Sequence, residues 1–196
     1  MDASLESIAR FLRPRPPVHE AEYRPFPREN GRDGTHGDVE VPLLLRLLAL
    51  PPGARILEIG CGGGASLPAL DRLARPSRLV GVDIDAELVA EARARADAAR
   101  IRCEVIAADV RALPFADGAF DVVCDFGTAY HIARRATALR EIARVLRLGG
   151  RFVCETRLNQ LTSHLIRAWG RTLPWRDVPA LVPRRGTLMW TVRERV

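Results

Sequence analysis

Between residues 54 and 155, short apolar runs alternate with stretches of helical periodicity, and this alternation constrains the fold more than any other feature. The runs at 55–59, 78–83, 103–107, 120–125 and 151–155 have strand length and are rich in Val, Ile, Leu and Phe. The segments between them predict a helix ending at Ala74, one over 86–100 capped by Asp85, and one over 135–147. In the last, Leu139, Ile142 and Leu146 recur at helical spacing and Gly149-Gly150 reads as the stop. Strands that are apolar on both faces and joined by helices form parallel sheets covered on both sides. The expected fold class is therefore α/β, a doubly wound, mostly parallel sheet.

The ends are less regular. Residues 4–12 read as a short amphipathic helix through Leu5, Ile8 and Leu12. Arg13-Pro14-Arg15-Pro16-Pro17 excludes helix, and 18–38 stays irregular before an apolar helix at 39–50. The division this suggests is 1–53, N-terminal helices with a lid-like loop over 13–38, and 54–196, the core. In the tail, 158–171 looks helical and 187–193 reads as a last strand. A partner strand at 177–183 is weakened by Pro179 and Pro183, so the C-terminal strand region reads as shortened.

Charge narrows the chemistry. The chain has 196 residues with a net charge of +6, and every basic residue other than its histidines is arginine. Without lysine there is no Walker A loop and no Schiff-base amine. The arginines are scattered rather than clustered with aromatics, which argues against nucleic acid as a partner. Cys61, Cys103, Cys124 and Cys154 lack metal-ligand spacing, so no metal is expected and buried free thiols in a reducing compartment are. No apolar run has the ~20 residues needed to cross a bilayer. The acidic start lacks a signal-peptide apolar stretch, so a cytoplasmic location is expected.

The strongest local signal is Glu58-Ile59-Gly60-Cys61-Gly62-Gly63-Gly64, where the first strand passes into a helix. Such a loop lets the backbone approach a ligand and presents free N–H groups to it. Alone it also satisfies a dinucleotide fingerprint, as does Asp83 at the end of the second strand. Glu58 inside a buried strand and Asp109, in Ala107-Ala108-Asp109-Val110, fit that reading less well. A carboxylate at Glu58 suits a loop or an ammonium group, and Asp109 suits an exocyclic amine of adenine.

With these motifs in place, the sequence resembles the class I S-adenosylmethionine-dependent methyltransferases, type 11, the group that includes ubiquinone/menaquinone C-methyltransferases. The matching text is ILEIGCGGG (56–64), LVGVDID (79–85), AADVRALPFADGAFDVV (107–123) and ALREIARVLRLGGRFV (138–153). The resemblance implies a Rossmann-like fold and S-adenosylmethionine as cofactor. It implies that Gly60, Cys61, Gly62 and Gly64 pass under the methionine part and that Glu58 organises that loop. Asp83 would hold the ribose, Ile84 would pack on the adenine, and Asp109 with Val110 would line the base. Asp125 would face the methionine moiety.

Tyr130 and His131, just past the fourth strand, are the candidate catalytic residues, His131 as a base titrating near neutrality. The implied activity is methyl transfer to a small-molecule acceptor through O, N or C, with a homodimer left open. An RNA-modifying enzyme, a non-catalytic S-adenosylmethionine-binding protein and a nicotinamide oxidoreductase are the alternatives. Arg140, Arg144 and Arg147 share one helix face and read as a solvated surface.

Overall fold

A computed structural model describes residues 36–130, 132–156 and 173–196. The helix expected at 4–12, most of the lid-like loop at 13–38, the helix at 158–171, and His131 lie outside the described residues. A short π turn (His36–Glu40) runs into α1 (Val41–Leu48). Then follow β1 (Arg55–Ile59), α2 (Leu67–Ala74), β2 (Arg78–Asp83), α3 (Ala86–Ala98), β3 (Glu104–Ala107) and β4 (Phe120–Asp125). The chain ends with α4 (Arg135–Val145), β5 (Leu146–Glu155), a 3-10 turn (Trp175–Asp177), β6 (Leu181–Gly186) and β7 (Trp190–Arg195).

The strands form one sheet in the order β3-β2-β1-β4-β5-β7-β6. Its first five members are parallel, and β7 runs antiparallel to both β5 and β6. Both faces are covered, as the apolar strands require. Leu57, Ile59, Val80, Val82 and Val123 pack with Leu139 and Ile142 of α4. Ile56, Leu79 and Val122 pack on the other face with α1, α2 and Val89 and Ala92 of α3. Helix α1 thus belongs to the same core as the sheet, although it precedes the boundary expected at residue 53. The order of strands reverses between β1 and β4, and a crevice opens there outside their carboxyl ends, the usual ligand position in such sheets.

Three expectations change. Helix α4 stops at Val145 and the strand begins at once. The pairing jumps from Phe120↔Leu146 to Val122↔Arg151, so Gly149-Gly150 sits in a bulge inside β5 rather than ending a helix. The C-terminal strand region is a full antiparallel pair, because Pro183 is tolerated in β6, an edge strand whose register shifts between Pro183 and Arg185. Arg144 is not merely solvated: it donates to the carbonyls of Leu113 (2.9 Å) and Phe115 (2.7 Å) and pairs with Asp117 and Glu141. It thereby ties α4 to the loop that follows β3. Arg147 likewise pairs with Asp121. No helix among the described residues is long and apolar enough to cross a membrane.

Candidate functional site

The glycine loop turns out of β1 directly beneath the crevice. Gly60 has φ +61°, and a Cβ there would lie 1.9 Å from the Thr128 hydroxyl oxygen. That hydroxyl donates to the Gly60 carbonyl at 3.3 Å, clipping the loop to the segment after β4. Gly62 has φ +52° but a Cβ there would meet no protein atom within 4 Å. The first glycine is demanded by the protein itself; the second leaves one side of the loop open.

Glu58 is buried in β1 between Gly81 and Cys124 of the flanking strands. Its Oε1 accepts a very short bond from the hydroxyl of Ser66, the residue that precedes α2. Its Oε2 is buried without a partner among the described residues. Burial pushes the carboxyl up to about 8, against the Ser66 hydrogen bond, with the charges of Asp83 and Asp125 adding to the rise. Leaving a buried polar oxygen unpartnered costs about 1–3 kcal/mol.

Asp83 closes β2 and holds the loop: Oδ2 accepts from the Gly62 N–H at 2.9 Å and Oδ1 from the Asp85 N–H at 3.0 Å. Burial raises its carboxyl above the ordinary range, opposed by these backbone bonds. Asp85 caps α3, accepting from the N–H groups of Glu87 and Leu88, as expected. Asp109, beyond β3, accepts from the Arg111 backbone N–H (2.8 Å) and from its guanidinium.

An open cleft brings Gly60, Asp83, Ile84, Asp109 and Val110 together. Ile84, 43% exposed, offers it an apolar surface. Thr128, Arg111 and Ile132 also line it and were not singled out from the sequence. The signals available were an Asp-x-Arg spacing and a hydroxyl just after Gly127.

Other expected site residues are placed differently. The Asp125 carboxylate is buried and turned onto its own loop, accepting from the N–H groups of Gly127, Thr128 and Ala129. It shapes that loop instead of lining the cleft. Cys61 is buried, with a Gly81 Cβ position 3.0 Å from its sulfur, so its side chain belongs to the core. Gly64 packs against Ala92 of α3. Tyr130 is buried in the cluster that includes Phe120 and Leu139.

With this geometry described, the relatives fall into place. The profile of the methyltransferase-domain family matches residues 57–154, half of the chain. The fatty-acid O-methyltransferase of Mycolicibacterium smegmatis is 37% identical over 101 residues, covering 52% of this chain and 36% of that protein. The demethylmenaquinone methyltransferase of Thermus thermophilus is 38% identical over 99 residues, covering 50% of this chain and 45% of that protein. The chain thus spans about a third to under a half of the length of these curated relatives. Among solved structures, the geranyl diphosphate C-methyltransferase of Streptomyces coelicolor superposes with a TM-score of 0.63 at 18% identity, over 80% of this chain and 78% of that one. That likeness shows the fold. With the profile spanning β1 to β5 and the sheet order it requires, the chain belongs to the class I methyltransferases, in the type 11 methyltransferase-domain family.

Proposed function

We propose that the cleft binds S-adenosylmethionine and that the chain transfers its methyl group to a small-molecule acceptor. The observation that carries this is the cleft in which Asp83, Ile84 and Asp109 meet beside Gly60 of the glycine loop. The chain's residues suit that ligand part by part. Asp83 keeps acceptor capacity for ribose hydroxyls beyond its two backbone bonds. Ile84 supplies an apolar surface for the base and Asp109 an acceptor for its amine. The unpartnered Glu58 Oε2 suits the amino-acid ammonium, and the open side of Gly62 suits close passage of the methionine chain.

When bound, S-adenosylmethionine supplies an electrophilic methyl on a sulfonium. The protein's part is then to orient the acceptor along one axis and keep water away. A proton acceptor is needed only where the nucleophile loses a proton, and His131, six positions past Asp125, is the candidate. His131→Ala should lower turnover at saturating cofactor and leave cofactor affinity unchanged. A parallel fall in affinity and melting temperature would make the residue a loop former.

Asp83→Ala is expected to weaken S-adenosylmethionine binding ~10–100-fold, about the net worth of one hydrogen bond to a charged group. It should also lower the melting temperature, since two backbone N–H groups lose their acceptor. Calorimetry showing unchanged affinity would remove Asp83 from the ribose.

The named sequence relatives act on a fatty acid and a demethylmenaquinone, which favours an apolar small molecule here. Among the described residues, Arg55, Arg78, Arg111, Arg144, Arg147 and Arg184 are paired with carboxylates. Four free thiols suit a cytoplasmic setting.

The test is methyl-labelled S-adenosylmethionine offered with a long-chain fatty acid, a menaquinone precursor and RNA, reading label in each product. Label in a small molecule supports the proposal. Label confined to RNA, or none in any acceptor together with no cofactor binding, refutes it.

A further inference from the structure

We propose that Arg111 is a positioning residue that fixes the Asp109 carboxylate to read the exocyclic amine of a purine, and that it thereby sets the base preference of the cleft. The inference rests on the reading of the cleft as an S-adenosylmethionine site.

Three N–H groups of one residue converge on Asp109. The Arg111 backbone N–H reaches Oδ1 at 2.8 Å, Nε reaches both oxygens at 2.9 Å, and Nη2 reaches Oδ2 at 2.6 Å. An ionised carboxylate offers about four acceptor positions, so three N–H groups, one of them shared between the two oxygens, leave room for at most one further donor. The two side chains are unequally buried: that of Arg111 is 11% exposed and that of Asp109 33%. The guanidinium is the anchored partner and the carboxylate the one facing open space. Both line the same cleft as Ile84 and Asp83.

The pair joins residues only two positions apart, so it does not itself tie separate elements of the fold together. Its effect is order. Free aspartate rotates about two side-chain bonds and takes up a proton near its ordinary value. Here burial favours the neutral acid, but the Arg111 hydrogen bonds and the charges of Arg111 and Arg134 outweigh it and hold the carboxyl below that value. The remaining acceptor position is thus fixed and ionised. A 6-amino purine can donate to it. A 6-oxo purine brings an oxygen lone pair against it, and a polar site that cannot be satisfied rejects strongly.

The test uses calorimetry on the full chain with two probes, S-adenosylhomocysteine and its 6-oxo counterpart, S-inosylhomocysteine. The variants are Arg111→Met, Arg111→Lys, Asp109→Asn and the double variant Asp109→Asn/Arg111→Met. Arg111→Met should weaken S-adenosylhomocysteine about 10-fold and narrow the amino-over-oxo preference by a similar factor. It should also move the acid limit of binding to higher pH, because Asp109 then protonates more readily. Arg111→Lys should recover part of each effect. Arg111→Met should add little in the Asp109→Asn background.

Equal losses for both probes, or additive losses in the double variant, would overturn the inference and leave the cofactor reading standing. Failure of the unaltered chain to bind either probe would overturn both. Melting curves of each variant identify a loss that comes from unfolding, and Arg111→Lys carries the test if Arg111→Met does not fold.

Discussion

Gly60→Ala is expected to lower the stability of the folded chain by about 2–5 kcal/mol and to abolish cofactor binding. Two independent costs meet at this position. The backbone sits at φ +61°, where a side chain brings strain of about 1–3 kcal/mol. The added methyl would also lie 1.9 Å from Thr128 Oγ1 and 2.6 Å from its Cβ, an overpacking of about 1–3 kcal/mol. Thr128 has no easy retreat, because its backbone N–H is held by Asp125 at 2.6 Å.

Gly62→Ala separates strain from contact. It shares the positive φ, at +52°, but its methyl meets nothing within 4 Å. It should cost only about 1 kcal/mol of stability and still weaken the cofactor by at least ~10-fold, because the methyl fills the open side of the loop. Thermal melting and calorimetry on both variants check this. A Gly60→Ala protein melting within ~2 °C of the parent, less than about 1 kcal/mol would give, would contradict the packing account.

Glu58→Gln should do opposite things to stability and to binding. The carboxyl stands at about 8 in the folded chain, against an ordinary 4.5. Between those values the folded state holds a proton that the unfolded state has lost. The contribution is complete below about 4.5 and falls as pH rises through 8. Glutamine cannot titrate, so the variant should lose that slope and exceed the parent by about 1–3 kcal/mol above pH 8, where the parent buries a charge. Its affinity for S-adenosylmethionine should drop ~10–100-fold, because an amide cannot ionise to pair with the ammonium as the carboxyl can. Denaturation at pH 6 and pH 9 with calorimetry reads both. Unchanged affinity would leave Glu58 as a loop strut bonded to Ser66.

Legibility in the sequence followed the range of the interactions. β1, β2 and β4 were readable to the residue because each is an apolar run bounded by charge or glycine. That Asp83 and Asp109 come together at one cleft was readable, because strand ends in a parallel sheet bring the polar residues that follow them to one edge. The Gly149-Gly150 pair misled because glycine punctuates a helix end and a bulge equally well. β6 was obscured by Pro183, which only its edge position makes acceptable.

Ser66, Thr128 and Arg111 were missed for a related reason. A hydroxyl becomes part of the site only through a contact that spacing does not announce, as between Thr128 and Gly60, 68 positions apart. Tyr130 drew attention as a polar aromatic beside the ligand edge, yet its ring completes the core under α4. Asp125 ended a strand as Asp83 does, but the tight turn behind it claims its oxygens. Arg144 lay on a polar helix face whose facing loop could not be known without the tertiary structure.

Calorimetry of the full chain with S-adenosylmethionine, S-adenosylhomocysteine and NAD in parallel tests the central claim most directly. Saturable one-site binding of the two sulfur nucleosides, with no heat from NAD, is the predicted result. Binding of NAD without either of the others would contradict it and return the glycine loop to the dinucleotide proteins.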